Sequence, residues 1–329
     1  MNRKKIFMIV AAVLLFAAVC VAPFVVNKYI LRMVIMLLIT AILGQSWNLM
    51  SGYAGQFSFG HAVFFGIGAY TSAILSVKFG LSSLFGMLLG MVIGAAVGMF
   101  IGYLSFRYRL KGDYFALATL AFAEIFRVLF NNTKAFGGAQ GIILPLPSKN
   151  DFLRFEFLDD EIYYFILVIM VVAVSLGIYY ISRCRFGLNL VAIRTNRGAA
   201  AALGVNVLSH QLIAIGISGA VAAAAGAVYA QVYGYIDPTV VFAATISVRA
   251  IVPCIIGGSG TVMGPILGAL IIVPLQEVCN AAFTEVKGLN MILYGGLIVI
   301  FVLFCPNGVL GLVNSIKIKH SKKKRGETV

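Results

Sequence analysis

Runs of mostly apolar residues, each close to the ~20 needed for a helix to cross ~30 Å of hydrocarbon, recur along this chain. They fall at about 6–26, 30–50, 61–77, 81–106, 114–130, 162–182, 210–233, 240–257, 262–282 and 288–305. Backbone exposed to lipid must satisfy its own hydrogen bonds, so repeated runs of this length predict helices. The expected fold is all-α: one polytopic integral membrane helical bundle over 1–329, with about ten transmembrane helices (a range of about 8–11). The first run is longer than the 7–15 residue core of a signal peptide, and no clear cleavage site follows it, so it is read as a retained span. Composition agrees: 61% of the 329 residues are hydrophobic and 11% charged, against roughly 45–50% apolar in soluble domains.

Basic residues orient the bundle. With both termini in the cytosol, the N-terminus, 107–111, 183–209 and the tail 306–329 hold sixteen lysines and arginines, while the opposite segments hold six. Such a bias fixes orientation under the positive-inside rule. The formal charge of +14 therefore belongs to span ends and does not point to nucleic acid. The extracytoplasmic loop 131–161 instead gathers Asp151, Glu156, Asp159, Asp160 and Glu161, and such an acidic loop suits an external partner or plain solvation. The five cysteines and three histidines are scattered, without metal or redox spacing. No metal site and no catalytic constellation is expected.

The segment 183–209 is longer than a connector needs to be. It carries Arg183, Arg185, Arg194 and Arg197, and no acidic residue occurs from Phe186 through Ile236. Asn189–Leu203 reads as one short amphipathic helix, and Gly204 follows as its C-terminal cap. The segment is either a solvated basic loop or a docking helix for a soluble partner.

Glycine marks two further features. Gly86, Gly90, Gly94, Gly98 and Gly102 recur every four residues, a stripe that lets another helix backbone approach closely. It serves either packing within the chain or contact with a second subunit, and the internal role is favoured. In Ser51–Tyr70, Gly52, Gly55, Gly60, Gly66 and Gly68 weaken a continuous helix, and Gln56, Ser58 and His61 place polar groups in an apolar setting. A second broken stretch, Ile255–Ala269, offers Ser259 and Thr261 among glycines. Unwound backbone at membrane depth is tolerated where protein or a wet cavity covers it, and a pair of broken segments points to a transport pathway. Tight glycine packing without a pathway is the alternative. Gln56, Ser58, His61, Ser259 and Thr261 are the candidate pathway residues.

Taken together, WNLMSGYAGQFSFGHAVFFGIGAY, RLKGDYFALATLAFAEIFRVLFNN, FGGAQGI and PCIIGGSGTVMGPILGA resemble the LivM-type permease of branched-chain amino acid ABC importers. The likeness runs from about Leu43 to Leu312. It implies a permease subunit in the bacterial inner (plasma) membrane that passes leucine, isoleucine or valine inward by alternating access. The implied partners are a paralogous LivH-type permease, two cytosolic ABC ATPase subunits and an extracytoplasmic substrate-binding protein. ATP and Mg would sit on the ATPases, with no cofactor on this chain. The loop at 183–209 resembles that family's EAA segment, with Ala199, Ala200 and Gly204 on its alanines and glycine. It lacks the acidic residue, for which Gly198 or Ala201 stands. Arg194, Arg197, Ala199, Ala200, Leu203 and Gly204 are the candidate ATPase-coupling residues.

Absences agree with that class. No G-x-x-x-x-G-K-[ST] phosphate loop occurs, nor a nucleophile elbow or HExxH pair. Glu124 and Arg127, three apart on one helix face, form a candidate intramembrane charge pair. Arg249 and Glu277 are further intramembrane charges that groups in other spans could partner. None of these makes the relay of carboxylates and histidines expected of a proton-coupled carrier. Two alternatives remain: a permease of the same family for urea or another small amide, and an ATP-independent secondary carrier or channel.

Overall fold

The helix boundaries follow local chemistry. In a computed structural model, which describes residues 21–282 apart from 109, 111, 146–149 and 153, with scattered positions between 292 and 311, helix α1 spans Lys28–Trp47. The Asn27 side chain caps it by accepting from Ile30 N. A π-helical turn, Asn48–Tyr53, follows without a break. Helix α2 (His61–Phe79) ends at left-handed Gly80. Ser82 then caps α3 (Ser83–Arg107), and α4 covers Asp113–Asn132. Two 3₁₀ turns and a short strand β1 (Ile142–Ile143) lead to α5 (Asp160–Arg183). Next come two short helices, α6 (Arg185–Thr195) and α7 (Arg197–Ala202), and the long α8 (Val207–Tyr233). Strand β2 (Tyr235–Ile236) pairs antiparallel with β1. The described core closes with α9 (Pro238–Val241), α10 (Ala244–Gly257) and α11 (Gly264–Ala282).

The all-α membrane architecture expected from the apolar runs is present. Seven helical segments among the described residues are long and apolar enough to cross a bilayer: Lys28–Tyr53, His61–Phe79, Ser83–Arg107, Asp160–Arg183, Val207–Tyr233, Pro238–Gly257 and Gly264–Ala282. The count of about ten is not reproduced by these seven. The expected spans 6–26 and 288–305 lie mostly outside the described residues, as does the tail 306–329. The span expected at 114–130 is the helix α4, which carries Asp113, Glu124 and Arg127 and is not among the seven.

Side-chain contacts show which ends lie together. At one end, Arg32 pairs with Asp160 at 3.0 Å, Ser76 donates to Glu156, and Leu144 N donates to Gly234 O across the β1–β2 ribbon. At the other end, Asn189 meets His210 at 3.0 Å and Asn48 reaches Thr261. The acidic loop 131–161 and the basic loop 183–209 thus sit at opposite ends of the bundle.

The glycine stripe faces inward. Gly86, Gly90, Gly94, Gly98 and Gly102 are all buried. A Cβ added to Gly90 would stand 3.2 Å from Gly68 Cα of α2; one added to Gly98 would stand 2.9 Å from Ile215 O of α8. The seam is reciprocal, because small residues on α2 and α8 also take the partner backbone. A Cβ at Gly68 would fall on Ala223 O, and one at Gly226 on Phe65 O. Gly66 and Gly68 therefore do not unwind the chain as expected. They lie in continuous helix, and their lack of a Cβ brings α2, α3 and α8 together by van der Waals fit.

We expect Gly94→Leu to disrupt this seam, since a Cβ there already meets Ala223 Cβ at 2.8 Å and Gly219 O at 2.9 Å. Overpacking typically costs ~1–3 kcal/mol, so the purified yield and thermal midpoint in detergent should fall. Gly177→Leu on α5, where nothing lies within 4 Å of an added Cβ, is the control and should keep both. Equal behaviour of the two variants would show that the seam does not hold the bundle together.

Candidate functional site

Two interruptions of helix, residues 54–60 and 258–263, release backbone donors and acceptors at the basic-loop end of an apolar bundle. A buried, unpaired backbone group costs as much as a lost hydrogen bond, so their partners define the site. In the first break, Trp47 Nε1 donates to Ser58 O at 2.8 Å, and Ser51 Oγ donates to Gln56 O at 2.7 Å. Thr119 of α4 accepts from Phe59 N at 3.0 Å. Ser247 of α10 accepts from Ala62 N at 3.0 Å and donates to Phe59 O. In the second break, Asn48 accepts from Gly260 N through Oδ1 and donates to Thr261 O through Nδ2, both at 2.7 Å. Gln45 Nε2 donates to Val262 O at 2.8 Å.

The π-helical turn that leads into the first break touches the second break. A Cβ placed on Gly52 would come 2.7 Å from Gly260 N. Gly55 and Gly260 have φ of +70° and +78°, left-handed values that side chains rarely adopt. Asn48 is the hinge pin of this junction, and it occupies the first position of a π-helical turn. Single π turns inside helices mark functional positions in many proteins.

A residue from the basic loop completes the arrangement. Arg194, near the end of α6, donates from Nη1 to Gly52 O. Its stem covers Gly55, where an added Cβ would lie 2.7 Å from Arg194 Cγ; a Cβ on Gly260 would lie 2.9 Å from Arg194 Nη1. One side chain outside the long helices therefore contacts both breaks.

The candidate pathway residues divide. Thr261 Oγ1 donates to Gly258 O and accepts from Gly264 N, which caps α11. Ser259 is exposed and Gln56 half-buried. His61 and Ser58 are 0% and 1% exposed. His61 Nε2 lies 2.9 Å from Ser218 Oγ, and Ser218 in turn donates to Ser46 O. His61 and Ser58 are thus built into the packing between α1, α2 and α8.

The candidate coupling residues also divide. The single helix expected over Asn189–Leu203 is two helices, broken at Asn196, whose backbone is extended (φ −153°, ψ 104°) and whose side chain caps α7 by accepting from Ala199 N at 3.0 Å. The short polar side chain competes with the helix for backbone donors, which explains the break. Ala200 is 2% exposed and packs with Ile193 and Val207. Ala199, Leu203 and Gly204 are exposed, Leu203 at 85%. Arg197 is half-buried at the start of α7. Gly204 has φ +85° just past α7. Away from both breaks, Glu124 and Arg127 form an ion pair on α4 with Nε–Oε2 at 2.9 Å. Arg249 and Glu277 line one small cavity with Met36 and Thr40.

Sequence reasoning missed Asn48, Gln45, Trp47, Thr119 and Ser247. The available signal was a polar side chain inside an apolar run, which marks a group needing a specific partner.

Residues 29–302 match the family described as branched-chain amino acid transport system / permease component. The chain belongs to this family. This permease is 30% identical to the high-affinity branched-chain amino acid transport system permease protein LivM of Escherichia coli, over 98% of its own length and 79% of that protein. It is equally similar to LivM of Salmonella typhimurium, at 30% identity over the same shares. It is 24% identical to LivH of Salmonella typhimurium, over 82% of its length and 91% of that protein. No solved structure matches it. The LivM-type resemblance read from the sequence motifs is thereby confirmed, and the chain is a transport permease component.

Because Ala200 faces inward and Leu203 outward, the two sites should respond differently to charge. We expect Ala200→Asp to lower the permease's own thermal stability, since an unpaired buried carboxylate costs several kcal/mol. Leu203→Asp should leave stability within about 0.5 kcal/mol, as surface changes usually do. Thermal melts of the purified permease check this, and an unchanged melt for Ala200→Asp would contradict the packing of α7.

Proposed function

We propose that this chain is the membrane permease subunit of an ATP-binding cassette importer that brings leucine, isoleucine and valine into a bacterial cell. The observation that carries the reading is the end-to-end likeness to LivM, 30% identity over 98% of this chain. The likeness to LivH supports pairing with a paralogous LivH-type permease. Two cytosolic ATPases would bind and hydrolyse ATP with Mg, and an extracytoplasmic binding protein would deliver substrate to the acidic-loop end. On this reading the chain itself carries no ATP chemistry and no cofactor.

The proposed topology has about ten crossings in the cell membrane, three beyond the seven described segments, with both termini and the loop 183–209 in the cytosol. The exposed surface of α7, with Ala199, Leu203 and Gly204, would meet the ATPase. Arg197 and the buried Ala200 would support that surface, and Arg194 would join the loop to the two breaks. Gln56, Ser58, His61, Ser259 and Thr261 cluster on the elements that border the two breaks, and the substrate path is assigned to the face that these breaks present to the second permease. Contacts with substrate need only be weak and transient, because a tight site would retain it.

Uptake of labelled leucine into proteoliposomes holding the permease pair, ATPase and binding protein tests the reading. Uptake should require ATP and be competed by valine and isoleucine but not by urea. Accumulation without the ATPase would overturn it in favour of a secondary carrier or channel, and competition by urea alone would reassign the substrate. Orientation has a separate test on a background without native cysteines. Phe152→Cys should label with an impermeant thiol reagent in intact cells, while Leu203→Cys should label only after lysis. The reverse pattern would invert the map.

A further inference from the structure

Arg194 occupies an unusual place for a residue of a partner-binding loop. It sits in α6, two residues before the extended residue Asn196 at which the loop bends into α7. The residue is exposed, and its guanidinium ends on Gly52 O, an acceptor in the π-helical turn. The same side chain lies over Gly55 and beside Gly260. Both of those glycines are left-handed, and they belong to the two separate breaks. Asn48 already ties the breaks to each other through Gly260 N and Thr261 O. The chain itself joins α7 to Arg194 through Asn196, and hydrogen-bonded side chains link Arg194, the π turn and the second break.

We propose that Arg194 is a positioning residue that transmits loop movement to the Gly52–Gly260 junction, making this junction the gate at the loop end of the pathway. This rests on the importer reading above. When the ATPases move α7, α6 follows across the single extended residue Asn196, and Arg194 moves with it. Its guanidinium holds Gly52 O only while α6 is in the present position. Withdrawal frees a backbone carbonyl in a turn whose hydrogen bonds are already irregular, and it uncovers Gly55 and Gly260. Glycines at all three positions are needed for this fit: an added Cβ at Gly52 or Gly55 comes within 2.7 Å or less of a neighbour, and one at Gly260 comes to 2.9 Å. At Gly55 and Gly260 that neighbour is Arg194, whereas at Gly52 it is Asn48 and Gly260, so Arg194 closes one side of the junction. A hydrogen bond from a charged donor is worth roughly a tenfold or greater shift in a two-state equilibrium, which biases closed against open forms while the rest of the roughly 10⁴-fold that a complete switch needs comes from the ATPases.

The experiment uses the full assembly in proteoliposomes, comparing wild type, Arg194→Ala and Arg194→Lys. It records ATPase co-purification, ATP hydrolysed per leucine taken up, and amide hydrogen exchange in 48–60 and 258–264 without nucleotide. For Arg194→Ala we expect normal co-purification, about tenfold more ATP spent per leucine, and faster exchange confined to the two breaks. Arg194→Lys keeps a charged donor and should recover part of the coupling. A wild-type coupling ratio with unchanged exchange in Arg194→Ala would overturn the proposal. So would loss of co-purification with unchanged exchange, which would make Arg194 a direct ATPase contact. Should Arg194→Ala assemble poorly, Arg194→Met, which keeps an apolar stem without a donor, would overturn it by showing wild-type coupling and wild-type exchange. If wild type shows no ATP-dependent uptake, the importer reading fails, while the exchange comparison still decides whether Arg194 holds the two breaks.

Discussion

Unwound backbone buried in an apolar bundle is the constraint on which the rest of this permease depends. Residues 54–60 and 258–263 leave the helical ladder, and no lipid can replace the hydrogen bonds they give up. The structure answers with side chains drawn from several helices: Gln45, Trp47 and Asn48 at the end of α1, Thr119 of α4, Ser247 of α10 and Arg194 of α6. Each reaches a backbone group. Displacing any one of these helices therefore disturbs the hydrogen bonds of a break.

The glycine seam supplies the contrasting rigid part. Where α2, α3 and α8 meet, backbone lies on backbone, and even a methyl group at Gly68 or Gly226 would collide with a carbonyl oxygen. Association in lipid has no hydrophobic drive between helices, so closeness of fit takes its place. A close-packed block beside a junction held by a few polar side chains gives the molecule both a fixed frame and a part able to shift. That division suits alternating access, in which one body moves against another around a pathway.

Much of the fold was legible from hydropathy. Seven of the expected crossings coincide with apolar helices in the described residues, and the stripe from Gly86 to Gly102 turned inward as the period of four suggested. The reading failed where one residue type serves two purposes. Gly66 and Gly68 were expected to break a helix, yet they pack one, because glycine's cost in helix propensity is outweighed when its missing Cβ admits a neighbouring backbone. Asn196 was expected inside a helix, yet its side chain caps a new one. His61, one of the candidate pathway residues, is 0% exposed beside Ser218.

What the sequence determined by itself was class, membership and polarity. Apolar run length fixes the membrane bundle, and the ordered motifs fix the permease family. The split between acidic and basic loops marks the two ends, since these are properties of local composition. Only the tertiary structure decided which polar groups meet. Asn48 lies 212 residues from Gly260, and Arg194 lies 142 residues from Gly52. Nothing in either neighbourhood names its partner, because that pairing follows from how helices cross and not from the period along any one of them. For the same reason, Ala199 and Ala200 are alike in sequence, but packing against Ile193 and Val207 buries the second and leaves the first exposed.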